Sequence, residues 1–193
     1  MSKQAKVVES KEFKRLITAA NLTRHAQRNR TMIYMSYYAG MRACEIAALR
    51  VRDVVGSSGE VQEVVTLGAD QTKGQSRCRV FINKKLRKYL ADYLSAHDNI
   101  SSVSEDPLFY SQKNKGFSSQ TVINLFAQLY KMALITGASS HSGRRTFLTG
   151  LANQGINPRI LQKLARHSSL NTTMLYLETN DSQLSNAAEL AKI

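Results

Sequence analysis

The sequence has few groups that could hold a structural metal ion or form disulfides. Its 193 residues include two cysteines, Cys44 and Cys78, and neither belongs to a CxxC pair or lies near a cluster of histidines. Structural zinc sites need four Cys or His ligands at short spacings, and disulfide-rich domains need several cysteine pairs. We therefore expect two free thiols and no structural zinc.

Long apolar segments are also missing. No run approaches the roughly 20 apolar residues of a membrane-spanning helix. The N-terminal sequence MSKQAKVVESKEF lacks the apolar middle of a signal peptide. The chain contains no internal repeat and no low-complexity linker. These absences predict a cytoplasmic protein with one main core and no membrane partner.

Acidic residues are scarce compared with basic ones. The chain has 14 Asp and Glu against 27 Lys and Arg, a formal net charge of +13. Basic residues spread over the whole chain favour a polyanionic partner, because contacts with phosphates release counterions and supply affinity for nucleic acid. The alternative is a basic protein whose charges are simply solvated. The charge balance favours nucleic acid as the partner.

The spacing of apolar residues predicts a mostly helical chain. Apolar positions three and four apart recur in segments that begin at capping residues such as Ser10, Ser118 or its neighbour Ser119, and Asn157. Gly40 is predicted to end the second of these helices. The predicted helices cover residues 10–20, 25–39, 83–97, 118–135, 141–155, 158–165 and 181–193, and the segment 41–50 is left open.

A different pattern occurs between residues 51 and 82. Three β-branched runs, 51–55, 61–67 and 77–82, are separated by the turn sequences GSSG and DQTKGQS. This pattern predicts a small antiparallel sheet of three strands, with Lys73 at the tip of the last hairpin. The expected fold class is therefore α+β, mostly α.

Several polar residues whose side chains could take part in a reaction lie in or between these elements. Arg42 and Glu45 share one face if their segment is helical, and His141 and Arg144 are three apart at a predicted helix start. Separately, each has an ordinary interpretation as a surface ion pair or a solvated charge. The polar residues singled out, in chain order, are Arg42, Glu45, Lys73, His141, Arg144, His167 and Tyr176.

The last two of these residues lie in the stretch LARHSSLNTTMLYLE. His167 precedes Tyr176 by nine positions. We expect His167 to follow the end of one short helix and Tyr176 to lie on the next, which Thr172 and Thr173 begin. A tyrosine in such a place is more often packing than nucleophile when it is considered alone.

Four motifs in this order resemble the catalytic domain of the tyrosine recombinase, or phage integrase, family. They are GMRACEIAALR, TKG, HSGRRTF and LARHSSLNTTMLYLE. The resemblance extends from about residue 10 to residue 180. It implies a catalytic domain over residues 1–180, mostly helical with a small antiparallel sheet, and a C-terminal helix over residues 181–193 that docks on its own subunit or a neighbour.

The residue types suit an attack on a DNA phosphodiester. Arg42 and Arg144 would clamp the phosphate, because guanidinium groups stay charged and donate paired hydrogen bonds. His141 and His167 can donate to the same oxygens, and either could accept a proton from the nucleophile, which we assign to Tyr176. The residues alone leave that choice of histidine open.

The family resemblance supplies further roles. Tyr176 would form a phosphotyrosyl bond to the 3′ end of the broken strand, and Lys73 would protonate the departing 5′ hydroxyl. Glu45 would orient Arg42. Lys113, Lys115, Arg145 and Arg166 are candidate contacts with the DNA backbone.

The resemblance also implies partners and the absence of a cofactor. A homo-tetramer would act on two sites in double-stranded DNA, with a monomer as the alternative without DNA and accessory DNA-bending proteins as further partners. When bound to DNA, the protein would be associated with the nucleoid. We expect neither metal nor ATP, because the sequence shows no carboxylate cluster for magnesium and the phosphotyrosyl bond preserves the energy of the broken bond.

Three features differ from the family pattern. Arg166 occupies a position that is usually Gly, and Gly143 replaces a commonly apolar residue. Only 41 residues precede Arg42. We therefore expect either an excised catalytic domain or a minimal member without the N-terminal core-binding domain, like the fimbrial-switch invertases. Two other functions remain open, a non-cleaving DNA-binding regulator with the same fold and a relaxing enzyme of the type IB topoisomerase class.

Overall fold

The computed structural model describes residues 4–72, 76–96, 104–112, 115–177 and 188–189. Over these residues the chain is mostly helical with one small antiparallel sheet, which confirms the predicted fold class. The chain divides into two compact units, Met1–Phe147 and Leu148–Ile193. The boundary between them falls within a helix.

Secondary structure follows the predicted order. The elements are α1 (Ser10–Asn21), α2 (Ala26–Ala39), α3 (Ala43–Ala48), α4 (Val51–Val54), β1 (Val64–Leu67), a 3-10 turn (Ala69–Gln71), β2 (Cys78–Phe81), α5 (Lys84–Ser95), α6 (Ser119–Met132), α7 (Ser142–Asn153), α8 (Pro158–Ala165) and α9 (Leu170–Met174).

The core of the first unit is built around α2. This helix is buried on almost all sides, so its sequence shows little amphipathic pattern, and Met32 and Met35 are fully enclosed. Helices α1, α3 and α5 pack against α2, and α6 packs against α1 and α3. Gly40 ends α2 in the left-handed conformation at φ 59°, as its sequence position predicted.

The sheet contains two strands among the described residues, β1 and β2, paired with Val65 opposite Val80. The predicted third strand at residues 51–55 is wrong, because this segment forms the short helix α4. The Asp53 carboxylate accepts a 2.9 Å hydrogen bond from the backbone N–H of Arg50 and closes the first turn. Val51 and Val54, three positions apart, are then buried together. A short apolar run fits either structure, and tertiary packing selected the helix.

Side-chain caps explain most helix starts. The predicted caps Ser118 and Asn157 each accept a hydrogen bond from the first turn of their helices. Ser10 was predicted to cap α1 but lies inside it, and the Glu12 carboxylate instead accepts from the backbone N–H of Glu9 at 3.2 Å. Glutamate three residues after the cap position can replace a hydroxyl cap in this way.

Some predictions fall outside the described residues. The C-terminal helix at 181–193 does so except at residues 188–189, so its docking stays a prediction. In the part of the chain that the structure covers, no helix is long and apolar enough to cross a bilayer. Within the same part, no group of three or more His, Cys, Asp and Glu side chains is arranged for a metal ion. Cys44 and Cys78 are not joined in a disulfide.

Candidate active site

Glu45 holds Arg42 at the start of α3. Glu45 is fully buried, and one carboxylate oxygen accepts a 2.9 Å hydrogen bond from the backbone N–H of Arg42. The other oxygen accepts a 2.7 Å bond from the Arg42 guanidinium, whose side chain is 22% exposed. A buried carboxylate needs such charged partners, so this pair is more than a solvated surface contact. Glu45 therefore fixes both the backbone and the side chain of Arg42.

Arg144 is anchored on the end of α2. It is 4% exposed, and its Nη1 donates a 2.7 Å hydrogen bond to the carbonyl oxygen of Gly40. Glycine suits position 40, because any other residue would have to adopt a positive φ there and its Cβ would lie 2.7 Å from Cδ1 of Phe147. The segment of residues 40–42 thus carries one arginine and anchors the other.

Gly143 allows α7 to approach α2 closely. A Cβ at this position would overlap Oγ of Ser36 and lie 2.8 Å from Cδ2 of Tyr37. The departure from an apolar residue at 143 therefore has a steric reason. The turn that leads into α7 is closed by Ser142, whose Oγ accepts a 2.9 Å hydrogen bond from the backbone N–H of Ser139. This packing sets the position from which Arg144 projects.

His141 and Arg42 line one cleft of the first unit. The cleft has a volume of about 370 Å³ and also includes Cys44, Thr72 and Ser119. Thr72 directly precedes Lys73 in the sequence, and Lys73 lies outside the described residues. A larger cleft of about 600 Å³, between α1, α2 and α5, contains none of the predicted site residues. The chemistry of the side chains therefore favours the smaller cleft.

The backbone of His167 is fixed by the end of α8. Arg166 adopts the left-handed conformation at φ 55°, and the backbone N–H of His167 donates to the carbonyl of Gln162 at 3.1 Å. The Gln162 side chain in turn donates to the His167 carbonyl at 3.2 Å. A helix end of this kind usually has Gly at the left-handed position, which explains the family's preference at residue 166.

The rings of His167 and Tyr176 are in contact. Their centroids are 5.8 Å apart and their planes differ by 19°. Nδ1 of His167 lies 2.9 Å from Oγ1 of Thr173, a side chain that is 1% exposed. Tyr176 follows α9 and donates from its backbone N–H to the Thr173 carbonyl at 3.0 Å. The nine-residue spacing thus brings the two predicted residues together within the second unit.

The short helix before Tyr176 begins earlier than predicted. We expected Thr172 and Thr173 to start it, whereas α9 starts at Leu170 and is capped by the Ser169 hydroxyl, which accepts from the backbone N–H of Asn171. A serine directly before an apolar residue is an N-cap signal that the sequence interpretation passed over.

The candidate DNA contacts differ in their surroundings. Lys115 is exposed, and its carbonyl accepts from the backbone N–H of Ser111 at 2.8 Å. Arg145 is half-buried on α7, and Arg166 is half-buried with Nη1 bonded to the Leu164 carbonyl at 3.1 Å. Lys113 lies outside the described residues. None of these four assignments is tested by the geometry, and they stay predictions.

The sequence interpretation missed Arg28, which orders the segment that carries Lys115. Arg28 Nη1 donates to the Tyr110 carbonyl at 2.7 Å, and its guanidinium lies 4.9 Å from the centre of the Phe117 ring. Tyr110 and Gly116 form an antiparallel bridge between these contacts. An arginine inside a helix carries no sequence signal for such distant partners.

Gln71 was also missed. It is buried, its Oε1 accepts from the Gly68 backbone N–H, and its Nε2 donates to the carbonyl of Ala48, both at 2.7 Å. Gln71 thereby ties the 3-10 turn before Lys73 to the end of α3. A glutamine in a polar stretch normally indicates an exposed turn, and the sequence offers no sign of its burial.

Comparisons with known proteins give a consistent result. The model of the phage integrase family matches residues 6–183. A tyrosine recombinase XerC of Lactobacillus delbrueckii subsp. bulgaricus is 29% identical over 154 residues, which cover 77% of this chain and 50% of that protein. A tyrosine recombinase of Pseudothermotoga lettingae is 32% identical over 161 residues, covering 81% of this chain and 51% of its own length. The chain thus spans about half the length of these curated relatives.

Solved structures agree in fold. The crystal structure of XerA recombinase matches with a TM-score of 0.75 at 25% identity, over 100% of this chain and 66% of the other. The Tn1549 transposon integrase in complex with circular intermediate DNA matches with a TM-score of 0.76 at 19% identity, over 98% of this chain and 68% of the other. The second likeness shows the fold alone. With a family model that covers residues 6–183, the chain belongs to the phage integrase family.

Proposed function

We propose that this chain is the catalytic part of a site-specific DNA recombinase that cleaves and rejoins strands through Tyr176. The observation that carries the proposal is the anchoring of two arginines on one short segment. Arg42 is held by buried Glu45, and Arg144 is held by the carbonyl of Gly40. Two fixed guanidinium groups are suited to bind a phosphodiester and to stabilise the charge that develops during its cleavage.

The proposed reaction is an in-line transesterification. The phenolic oxygen of Tyr176 attacks phosphorus, and its proton passes to His141 or His167. The bond from phosphorus to the 5′ oxygen breaks, and Lys73 donates a proton to that oxygen. The products are a 3′-phosphotyrosyl bond and a free 5′ hydroxyl. A 5′ hydroxyl from another strand reverses these steps and rejoins the DNA.

This scheme requires neither a metal ion nor ATP. The phosphotyrosyl ester preserves the bond energy of the original phosphodiester, so resealing needs no external source. Charge on the non-bridging oxygens is stabilised by Arg42 and Arg144, which remain charged at any working pH. Positioning and electrostatic stabilisation are the main contributions that a protein makes to such a transfer.

Double-stranded DNA is the proposed partner. The formal charge of +13 favours phosphate contacts, and Lys113, Lys115, Arg145 and Arg166 are the proposed backbone contacts. The related integrase whose structure contains circular intermediate DNA supports the same partner class. We further propose a tetramer on two DNA sites, a monomer in the absence of DNA, and assistance from DNA-bending proteins.

Covalent capture tests the proposal. Duplexes that tile the DNA flanking the coding region, each with a nick near its centre, are incubated with the protein in EDTA and separated under denaturing conditions. We expect a protein–DNA adduct that disappears with Tyr176→Phe. The control is Tyr89→Phe, which keeps the stacked ring 3.9 Å from Tyr34 and should form the adduct normally. Arg42→Ala and Arg144→Ala should abolish the adduct while most DNA binding remains, because other cations contact the backbone.

Other outcomes would select other functions. Sequence-specific binding without an adduct on any duplex would favour the non-cleaving regulator. Relaxation of supercoiled circles without joining of two duplexes would favour a topoisomerase. An adduct that forms only with magnesium, or one that survives Tyr176→Phe, would contradict the proposed mechanism.

A further inference from the structure

Two adjacent threonines on α9 have different surroundings. Thr172 is exposed, whereas Thr173 is 1% exposed and its Oγ1 lies 2.9 Å from Nδ1 of His167. The carbonyl of Thr173 also accepts the backbone N–H of Tyr176 at 3.0 Å. Thr173 therefore contacts the predicted histidine through its side chain and the predicted nucleophile through its backbone.

The burial of Thr173 determines the direction of its hydrogen bond. A hydroxyl has one proton to donate and two lone pairs to accept with. Within the described residues, His167 Nδ1 is the sole hydrogen-bond partner of Thr173 Oγ1. If Nδ1 carried a proton and donated it, the buried hydroxyl proton would have no acceptor, which costs free energy. The arrangement in which Thr173 donates to Nδ1 leaves no such group unsatisfied.

We propose that Thr173 is a positioning residue that holds His167 in the neutral tautomer with its proton on Nε2. In this tautomer the Nδ1 lone pair is occupied by the Thr173 hydroxyl, and Nε2 is a hydrogen-bond donor. The same bond fixes the plane of the imidazole. The centroid of this ring lies 5.8 Å from the centroid of the Tyr176 ring. One side chain thus sets both the orientation and the donor atom of His167.

The consequence rests on the proposed function and deepens it. In the proposed mechanism this tautomer presents the Nε2–H of His167 as a hydrogen-bond donor for a phosphate oxygen. Thr173 would then set the orientation of that donor.

The tautomer can be measured directly in the free protein. Long-range proton–nitrogen NMR spectra at about pH 8, where histidine is neutral, distinguish the two tautomers of each imidazole. His167 is assigned by the signals that His167→Asn removes. We expect the Nε2–H pattern in the wild type and in Thr173→Ser, and a mixture of tautomers in Thr173→Val. Thr172→Val, on the exposed neighbour, should leave the pattern unchanged.

Cleavage rates supply a second readout. In single-turnover cleavage, Thr173→Val should lose roughly tenfold or more, the usual order for removing the orienting partner of a functional histidine. In a His167→Asn background, Thr173→Val should cause no further loss, because the threonine acts through that histidine. Thr173→Ser should retain most activity, and Thr172→Val all of it.

Several results would overturn the inference. They are an Nδ1–H pattern for His167 in the wild type, an unchanged pattern in Thr173→Val, or an equal loss of cleavage from Thr173→Val with and without His167. The wild-type and Thr173→Ser spectra decide the question even if Thr173→Val fails to fold. If the wild type forms no covalent adduct with any DNA, the proposed function fails while the spectra still decide the tautomer.

Discussion

The guanidinium of Arg144 donates a 2.7 Å hydrogen bond from Nη1 to the backbone carbonyl of Gly40. The two residues are more than a hundred positions apart in the sequence, and Arg42 lies only two residues after Gly40. A helix end in the left-handed conformation thus serves as an anchor for one arginine and leads directly into the segment that carries the other. The geometry of this turn should control the proposed phosphate site.

Gly40→Ala should destabilise the protein and impair cleavage. The new Cβ would lie 2.7 Å from Phe147 Cδ1 at a φ of 59°, and together these effects should cost about 2 kcal/mol or more. Urea denaturation measures the loss. Gly150→Ala is the matched control, because no atom of the described residues lies within 4 Å of its Cβ position and α7 should gain up to about 1 kcal/mol there. Equal stability of Gly40→Ala and the wild type would contradict this account.

Glu45→Gln should reduce cleavage much more than DNA binding. The variant keeps the shape of the buried side chain but weakens two charge-assisted hydrogen bonds to Arg42, with an expected loss of stability of about 1–3 kcal/mol. Cleavage and filter-binding assays separate the two effects. In Glu105→Gln, which weakens an exposed pair with Arg50, stability should change by less than about 1 kcal/mol. A normal cleavage rate in Glu45→Gln would show that Glu45 does not position Arg42 for catalysis.

Gly143→Ala should destabilise the start of α7. Its Cβ would overlap the Ser36 side chain, and inserting a methyl group into such close packing costs about 1–3 kcal/mol. The Ser36 hydroxyl has no hydrogen-bond partner within the described residues, so Ser36→Gly removes an unsatisfied group and the closer of two obstacles, while Tyr37 Cδ2 stays 2.8 Å from the new Cβ. We expect the double variant to be more stable than the sum of the single effects, which a double-mutant cycle measures. Strict additivity would mean that the two residues do not constrain each other.

Arg166→Gly should stabilise the second unit. Relief of the left-handed conformation is worth about 1–2 kcal/mol, and the greater freedom of Gly in the unfolded chain offsets about 0.5–1 kcal/mol of it. Urea denaturation should therefore show a small gain. Lys163→Gly, at an exposed position inside α8, should have the opposite sign and lose about 1 kcal/mol. A loss of stability in Arg166→Gly would show that contacts of the arginine side chain outweigh its backbone strain.

Helix starts and ends were predicted where a neighbouring residue in the sequence causes them. Gly40 and the cap Asn157 were correctly predicted, and Ser118 was one of two candidate caps with Ser119, because capping depends on residues within one turn. The end of α6 was predicted at residue 135, but the helix ends at Met132, and Leu134 adopts a φ of 54°. Leucine rarely adopts this conformation, so its sequence gave no stop signal.

Local sequence patterns did not predict which polar residues are buried. Gln71 and Arg28 bond to segments from elsewhere in the chain, and Glu45 is fully buried although its bonds to Arg42 are local. Their residue types are usually solvated, so a polar residue in a sequence is first interpreted as surface. For the same reason Thr172 and Thr173 were treated alike, although only Thr173 contacts His167.

The sequence by itself determined the order of the helices, the mostly helical α+β class, the basic charge and the family motifs with their candidate residues. These depend on composition, periodicity and spacing, which are properties of the chain before it folds. Only the tertiary structure decided that residues 51–54 form a helix, that Gly40 anchors Arg144, that Gly143 is a steric necessity and that Thr173 bonds His167. Each of these depends on a partner distant in sequence or on burial, and both arise when the chain packs.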